Sequence, residues 1–371
     1  MLRVCGVTYT FTTNYGSCLQ AYALQHMIGQ MTIQGERCMH ELLPTSRLQG
    51  YLDFEPAVSV KRKVKKLIAK WHRCQFAPFE KAHMHFAQCE TFEELQSLND
   101  RFDAFVCGSD VIWSPDFNHG YDLFYLDFAR KYAFSYAASF GKSDIPVSMY
   151  PEIQKKLANL DSISVREEHG AKLVKECSDR TAQVVSDPVL LLDRTAWNEV
   201  AAPQKKARKP YIFVYVTHWC KNMEQFIELL KAETGLPVVM SAYSVGVCLK
   251  RKVFLPQSPD RWLQQLRDAE YVVTNSFHAT AFSNIFHKKF FVVVNGERDK
   301  GINIRMYNLL NKLGLLDRLF AAPPEKIDTA EIDFTQADKE IAAMREESLT
   351  FLRENLEAAY AEKIKLVNKE S

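Results

Sequence analysis

The sequence lacks any long apolar run. Nothing in it approaches the roughly 20 apolar residues that a membrane-spanning helix needs, so no spanning segment is expected. None of its nine cysteines, at positions 5, 18, 38, 74, 89, 107, 177, 220 and 248, forms a C-x-x-C pair, and their number is odd. Several fall in apolar strand-like or helix-like segments, where a free cysteine acts as a small apolar residue. Reduced thiols in a cytoplasmic setting are therefore expected, with neither a disulfide framework nor a zinc site. The start, Met1-Leu2-Arg3-Val4-Cys5-Gly6, lacks the basic leader, apolar segment and small-residue cleavage site of a secretory signal. Charge of either sign is not in excess. The 47 Lys and Arg against 45 Asp and Glu leave +2, too balanced to point to nucleic acid. Repeats and low-complexity tracts are missing as well.

What is present is an ordinary globular composition, 47% apolar and 25% charged over 371 residues, a length that suggests more than one domain. Short apolar strands alternate with helices. Expected strands are Val4–Thr10, a buried strand entered through Arg101–Cys107, Ala133–Ala138, Ile163–Val165 and Val184–Val185. A polar, proline-bearing stretch, Ala201–Pro210, reads as a linker. A second series follows, with strands at Tyr211–Val216, Pro237–Met240, Tyr271–Thr274 and Phe290–Val294. Between them fall helices at Asn222–Thr234, at Pro259–Asp268 and through Phe282. Such alternation implies an α/β fold of two Rossmann-like domains with parallel sheets, glycosyltransferase-B-like, with ligands in the cleft at the carboxyl ends of the strands. The expected units are residues 1–203, 211–330 and a long C-terminal helix over 336–368, where Leu349, Leu352, Leu356 and Ala359 recur at helical spacing.

The strand ends are unusually polar. Asn14, Tyr15, Gly16 and Ser17 open a helix; such an N-terminus can hold an anion, or can be a tight turn capped by Ser17. The loop is neither a Walker A sequence nor G-x-G-x-x-G, so it specifies no nucleotide. Gly108-Ser109-Asp110 closes a buried strand; Asp110 can act as acid or base, or simply cap a turn. Arg166 follows Ile163-Ser164-Val165 directly. A guanidinium there calls for a phosphate or carboxylate ligand, or for a structural ion pair with Glu167, Glu168 or Asp187. Thr274-Asn275-Ser276-Phe277-His278-Ala279-Thr280 joins a strand to a helix and puts His278 near the helix start, where it can bind an anion or move a proton. A lone histidine is more often a satisfied core residue, but four polar neighbours favour function here.

These strings, in this order, resemble the successive signature blocks of polysaccharide pyruvyl transferases. The resemblance is carried by Asn14-Tyr15-Gly16-Ser17-Cys18-Leu19-Gln20, Phe105-Val106-Cys107-Gly108-Ser109-Asp110, Ser135-Tyr136-Ala137-Ala138-Ser139-Phe140-Gly141, Ile163-Ser164-Val165-Arg166-Glu167, Asp187-Pro188-Val189, Thr274–Thr280 and Arg305-Met306-Tyr307-Asn308. It implies phosphoenolpyruvate as donor, a sugar as acceptor and no further cofactor or metal. It also implies that Arg166 and His278, with Arg305, Asn275 and Ser276, hold the donor, and that His278 and Asp110 serve catalysis. Asn14, Tyr15, Gly16 and Ser109 would then line the cleft for an anion or the acceptor. The chain departs from the family at three places. Ser276 stands where members carry arginine, Val111 where glutamine is common, and Ala279 where glycine often follows the histidine. Two other readings stay open: a nucleotide-sugar glycosyltransferase using the same cleft, and a non-catalytic glycan-binding or assembly protein.

One further segment is suggestive. Lys61–Arg73 carries Val64, Leu67, Ile68 and Trp71 as a helical stripe among seven basic residues. Such a helix packs on its domain or rests on an anionic inner leaflet beside a lipid-linked sugar; a four-residue stripe is what ordinary packing needs, which favours the former.

Overall fold

A computed structural model describes residues 1–48, 60–115, 122–204, 209–242, 257–298 and 300–370. The first sheet has the order β2-β3-β1-β4-β5, with β1 Leu2–Val7, β2 Thr32–Ile33, β3 Glu36–Leu42, β4 Ala104–Cys107 and β5 Tyr132–Ser135. All its pairings are parallel except β2 with β3. A two-stranded parallel piece, β6 Ser164–Val165 with β7 Gln183–Val184, abuts it through bridges from Phe134 to Ser162 and from Ala138 to Val165. The second sheet has the order β12-β11-β10-β8-β9. Its strands are β8 Ile212–Val216, β9 Val238–Ala242, β10 Tyr271–Thr274, β11 Lys289–Val293 and β12 Leu319–Phe320, all parallel.

Parallel strands need crossovers, and helices supply them. In chain order the helices are α1 Tyr15–Gln30, α2 Val60–His83, α3 Tyr150–Leu157, α4 Glu168–Ser178, α5 Arg194–Val200, α6 Lys221–Thr234, α7 Pro259–Arg267, α8 Phe277–Ile285, α9 Ile304–Lys312 and α10 Thr335–Glu370, of which α5 joins the two series and α10 follows the last strand. Among the described residues, no helix is long and apolar enough to cross a membrane.

Two helices differ from the rest. All nine residues of α8 are buried, as is every residue of α1 from Tyr15 to Gln25. Neither helix turns a face to water over these spans, and their polar members, Gln20, Gln25, His278 and Asn284 among them, are buried with the apolar ones. Both lie between the sheets, and one apolar cluster runs through them from Leu2 and Val4 of the first sheet to Phe290 and Val292 of the second. Tyr15 sits in this layer with its ring stacked on Phe76 of α2 and on Trp262 of α7, the latter at 5.2 Å and 9°.

Several elements differ from expectation. The first strand ends at Val7 rather than Thr10, because pairing with β3 and β4 stops there and Thr8 and Thr10 turn their hydroxyls to the main chain of Ser109 and Leu43. The third ends at Ser135 rather than Ala138, where the backbone leaves β4 and Ala138 bridges Asp110 and Val165 instead. Residues 205–208 of the expected linker lie outside the described residues, as do the side chains of 60–69 with Val64, Leu67 and Ile68 of the basic stripe. Trp71, the fourth member of that stripe, is 41% exposed. The long helix α10 buries Leu352, Leu356 and Ala359 against the first sheet, where Asn355 accepts from the Tyr132 hydroxyl at 3.1 Å.

Candidate functional site

The carboxyl ends of both sheets face one another, and most of the polar residues singled out above are found there. Asp187 sits at the centre. Fully buried after β7, it uses Oδ1 to accept from the Val189 amide at 3.1 Å and so caps a short 3-10 turn. Its Oδ2 accepts from Arg166 Nη1 at 2.7 Å and from Ser109 Oγ at 3.4 Å. His278 Nε2, from the opposite sheet's α8, stands 3.5 Å from the same oxygen, within ion-pair range but without hydrogen-bond geometry. One carboxylate thus joins Arg166 of the first half to His278 of the second. Burial alone would raise the Asp187 pKa; His278 and Arg166 outweigh it and hold the carboxyl well below the usual carboxylate range.

Arg166 is 7% exposed. Its Nε donates to Glu167 Oε1 at 2.8 Å, and the guanidinium lies 4.6 Å from the centroid of the Phe277 ring. Burial works against its charge, but Glu167, Asp187 and Asp110 outweigh burial and raise its pKa above the ordinary arginine value. The structural ion pair considered from the sequence is therefore real, with Glu167 and Asp187 as partners, yet Nη2 is buried without a hydrogen bond among the described residues.

Beside this network lies a cavity of about 380 Å³, walled by Arg166, Glu167, Asp187, Phe277, Arg305 and Asn308, and closed on one side by Met344 and Glu347 of α10. That size suits a small ligand. Arg305 is half-buried, and its Nε reaches only the Ile302 carbonyl, at 3.5 Å. No carboxylate comes within ion-pair distance of it among the described residues. Burial, then the like charge of Arg166, hold its pKa down to about 10. Two guanidiniums at one cavity wall, one lacking a carboxylate and the other with a spare donor, form a setting for an anion.

The other residues singled out take varied places. Asp110 is buried, with Oδ2 accepting from Ser17 Oγ at 2.5 Å and Oδ1 from the Val111 amide at 2.9 Å. Asn14 caps α1, its Oδ1 accepting from the amides of Gly16 and Ser17 at 2.9 and 3.4 Å, so those donors are engaged within the chain. Tyr15 is packed as described. Gly16 is required by the imidazole: a Cβ on it would lie 2.1 Å from His278 Nδ1. Ser276 caps α8 by accepting from the Ala279 amide at 3.5 Å. Asn275 straps the loop after β8, accepting from the Thr217 amide at 2.8 Å and donating to the His218 carbonyl at 2.7 Å. Sequence reasoning had not given Asp187 or Glu167 a role beyond ion pairing; the Asp187-Pro188 step after a strand was the signal for the first. No group of three metal-ligating side chains that could hold an ion is found among the described residues.

Solved structures share this architecture. An S. aureus MnaA–UDP co-structure superposes with a TM-score of 0.51 at 12% identity, covering 96% of this chain and 91% of that one. A UDP-GlcNAc 2-epimerase from Neisseria meningitidis bound to UDP-GlcNAc gives 0.48 at 10% identity, covering 96% and 99%. ADP-heptose lps heptosyltransferase II of E. coli gives 0.40 at 8%, covering 93% and 99%. The first of these supports the glycosyltransferase-B-like fold, and at such identity nothing beyond fold is carried over. No curated protein matches the sequence. The family model described as polysaccharide pyruvyl transferase matches residues 14–297, which takes in Asp110, Arg166, Asp187 and His278, and the chain belongs to that family of transferases.

Proposed function

We propose that the chain moves a pyruvyl group from phosphoenolpyruvate to two hydroxyls of one sugar, closing a cyclic ketal, in the building of a bacterial-type surface polysaccharide. The observation that supports it best is the pair Arg166 and Arg305 on one cavity beside the Asp187–His278 contact. Phosphoenolpyruvate carries a phosphate and a carboxylate close together, and two guanidiniums lining one cavity can pair with both.

His278, which adjoins the cavity through Asp187 and Phe277 rather than lining it, would move towards the donor to protonate its methylene carbon, and the adjacent carbon becomes an oxocarbenium-like electrophile. One sugar hydroxyl attacks it and gives its proton to a general base; phosphate leaves, carrying off the proton of a second hydroxyl of the same sugar, whose oxygen closes the ring. Asp187 steadies the imidazolium before transfer, from 3.5 Å. The arginines hold the anionic donor in place and stay charged throughout.

The test is phosphate release from phosphoenolpyruvate with a panel of hexosides as acceptors. Acceptor-dependent release is expected. Arg305→Ala should raise the donor's KM about 10- to 100-fold, as losing one charge-assisted hydrogen bond of about 1.5–3 kcal/mol would. No release with any acceptor, together with tight binding of a UDP-sugar, would replace this reading with nucleotide-sugar transfer.

A further inference from the structure

The buried carboxylates of the site differ in what their oxygens are doing. Both oxygens of Asp110 accept hydrogen bonds, from Ser17 Oγ and the Val111 amide. Both oxygens of Asp187 are likewise engaged, by Arg166, Ser109 and Val189. Glu167 is different. Its Oε1 accepts from Arg166 Nε at 2.8 Å and from Ser139 Oγ at 3.1 Å, whereas its Oε2 is buried with no hydrogen-bond partner among the described residues. The side chain is 3% exposed. A buried carboxylate oxygen left without a donor is costly, and native structures rarely keep one without a reason.

The reason lies in its neighbour. Arg166 Nη2 is also buried without a partner, and both residues line the 380 Å³ cavity. Two adjoining residues of the cavity lining therefore hold an unused acceptor and an unused donor, each closed off from solvent, and are tied to each other through Nε and Oε1. A hydroxyl group, which donates one hydrogen bond and accepts another, satisfies both. Nη2 carries two N–H bonds, so one can meet the hydroxyl while the other stays available to the anionic donor.

Resting on the pyruvyl-transfer reading, we infer that Glu167 is the base that receives the attacking sugar hydroxyl. The hydroxyl proton passes to Glu167 Oε2, and the oxygen lone pair forms the bond to the electrophilic carbon of the donor. His278 supplies the proton that the methylene carbon gains. The base role falls to Glu167 rather than Asp110, whose two oxygens already accept from the Ser17 hydroxyl and the Val111 amide.

Glu167→Gln tests this, because the amide oxygen can keep the contacts to Arg166 and Ser139 while basicity is lost. With phosphoenolpyruvate and an active hexoside, kcat should fall about 10²- to 10⁴-fold, the usual worth of a positioned base. Donor binding measured by calorimetry should be unchanged or tighter, since Arg166 loses a countercharge. A purely structural role in holding Arg166 predicts the reverse, with weakened donor binding and kcat largely kept. That pattern, or a kcat within about threefold of the unaltered protein, overturns the inference. Glu167→Asp, which keeps the negative charge beside Arg166, guards against a Gln variant that fails to fold; about 10- to 100-fold loss of kcat is expected, and full activity would overturn the role. Absence of turnover in the unaltered protein would instead count against pyruvyl transfer itself.

Discussion

The two buried helix starts, at α1 and α8, look alike in sequence and do different work. Each follows a strand through a polar loop, and each has a capping residue that takes up its own amides: Asn14 in one, Ser276 in the other. They touch where His278 lies on Gly16. The α1 start contributes shape, an absence of side chain that admits the imidazole. The α8 start contributes the imidazole. At α1 the cap takes up the Gly16 and Ser17 amides that would cradle an anion, whereas at α8 Ser276 takes up only that of Ala279. The spare polar atoms come from the β6–β7 edge and α9, on Arg166, Glu167 and Arg305. A polar strand-to-helix loop thus marks the site's location better than its ligand-binding groups.

The contrast can be broken in three places. Removing the carboxylate that ties the halves should cost most. Asp187→Asn leaves Arg166 and His278 without their shared charge, and about 3–5 kcal/mol of stability is expected to go. Because its neighbours hold Asp187 ionised well below the usual carboxylate range, the stability it contributes is complete above about pH 4 and drains away as pH falls towards its folded-state pKa. Denaturant melts at pH 7 and at successively lower pH should show the variant's deficit shrinking with acid. A deficit that stays constant would mean that charge is not what Asp187 supplies.

Filling the space under the imidazole comes next. Gly16→Ala puts a methyl 2.1 Å from the present position of His278 Nδ1, so the ring must move. A displacement of about 1 Å at a reacting group costs on the order of 10²-fold in kcat. If α1 contributes only shape, the same substitution in a His278→Gln background should change kcat little. An equal loss there would show that Gly16 acts by another route.

The caps themselves should matter least. Asn14→Ala is expected to cost about 1 kcal/mol and Ser276→Ala about 0.5 kcal/mol, the weaker figure following its single long contact of 3.5 Å. Neither should shift the donor's KM by more than about threefold. A larger shift for Ser276→Ala would mean that its hydroxyl meets the donor directly.

Much of the fold could be read in advance. The expected strands fell within a few residues of their observed bounds, because alternation of short apolar runs with helical periods is set locally, but β2, β3 and β12 were not foreseen: β3, Glu36–Leu42, carries four polar residues among seven and shows no apolar run. Their ends were less legible: Thr8 and Thr10 look like strand residues until one knows that Leu43 and Ser109 stand opposite. At the site, Arg166 and His278 were readable as polar groups out of place at strand ends. Whether Arg166 would meet a ligand or a carboxylate was not, since that depends on Asp187, 21 residues away in sequence. Tyr15 shows the limit best. Its neighbours Phe76 and Trp262 are far off in the chain, and no local pattern announces that a tyrosine beside a polar loop will be stacked between them.

The long helix α10 has a mechanical consequence. It starts beside the second sheet, where His287 stacks on Phe334 and contacts Asp338, and it ends on the first, where Lys363 reaches the Met1 carbonyl and Asp103. At 1.5 Å per residue its 36 residues make a strut of about 54 Å. The halves are therefore joined by two covalent crossings, the 201–210 stretch and this strut. Because Met344 and Glu347 on the strut also wall the cavity, a shift in how the strut meets either sheet would alter the space around Arg166 and Arg305.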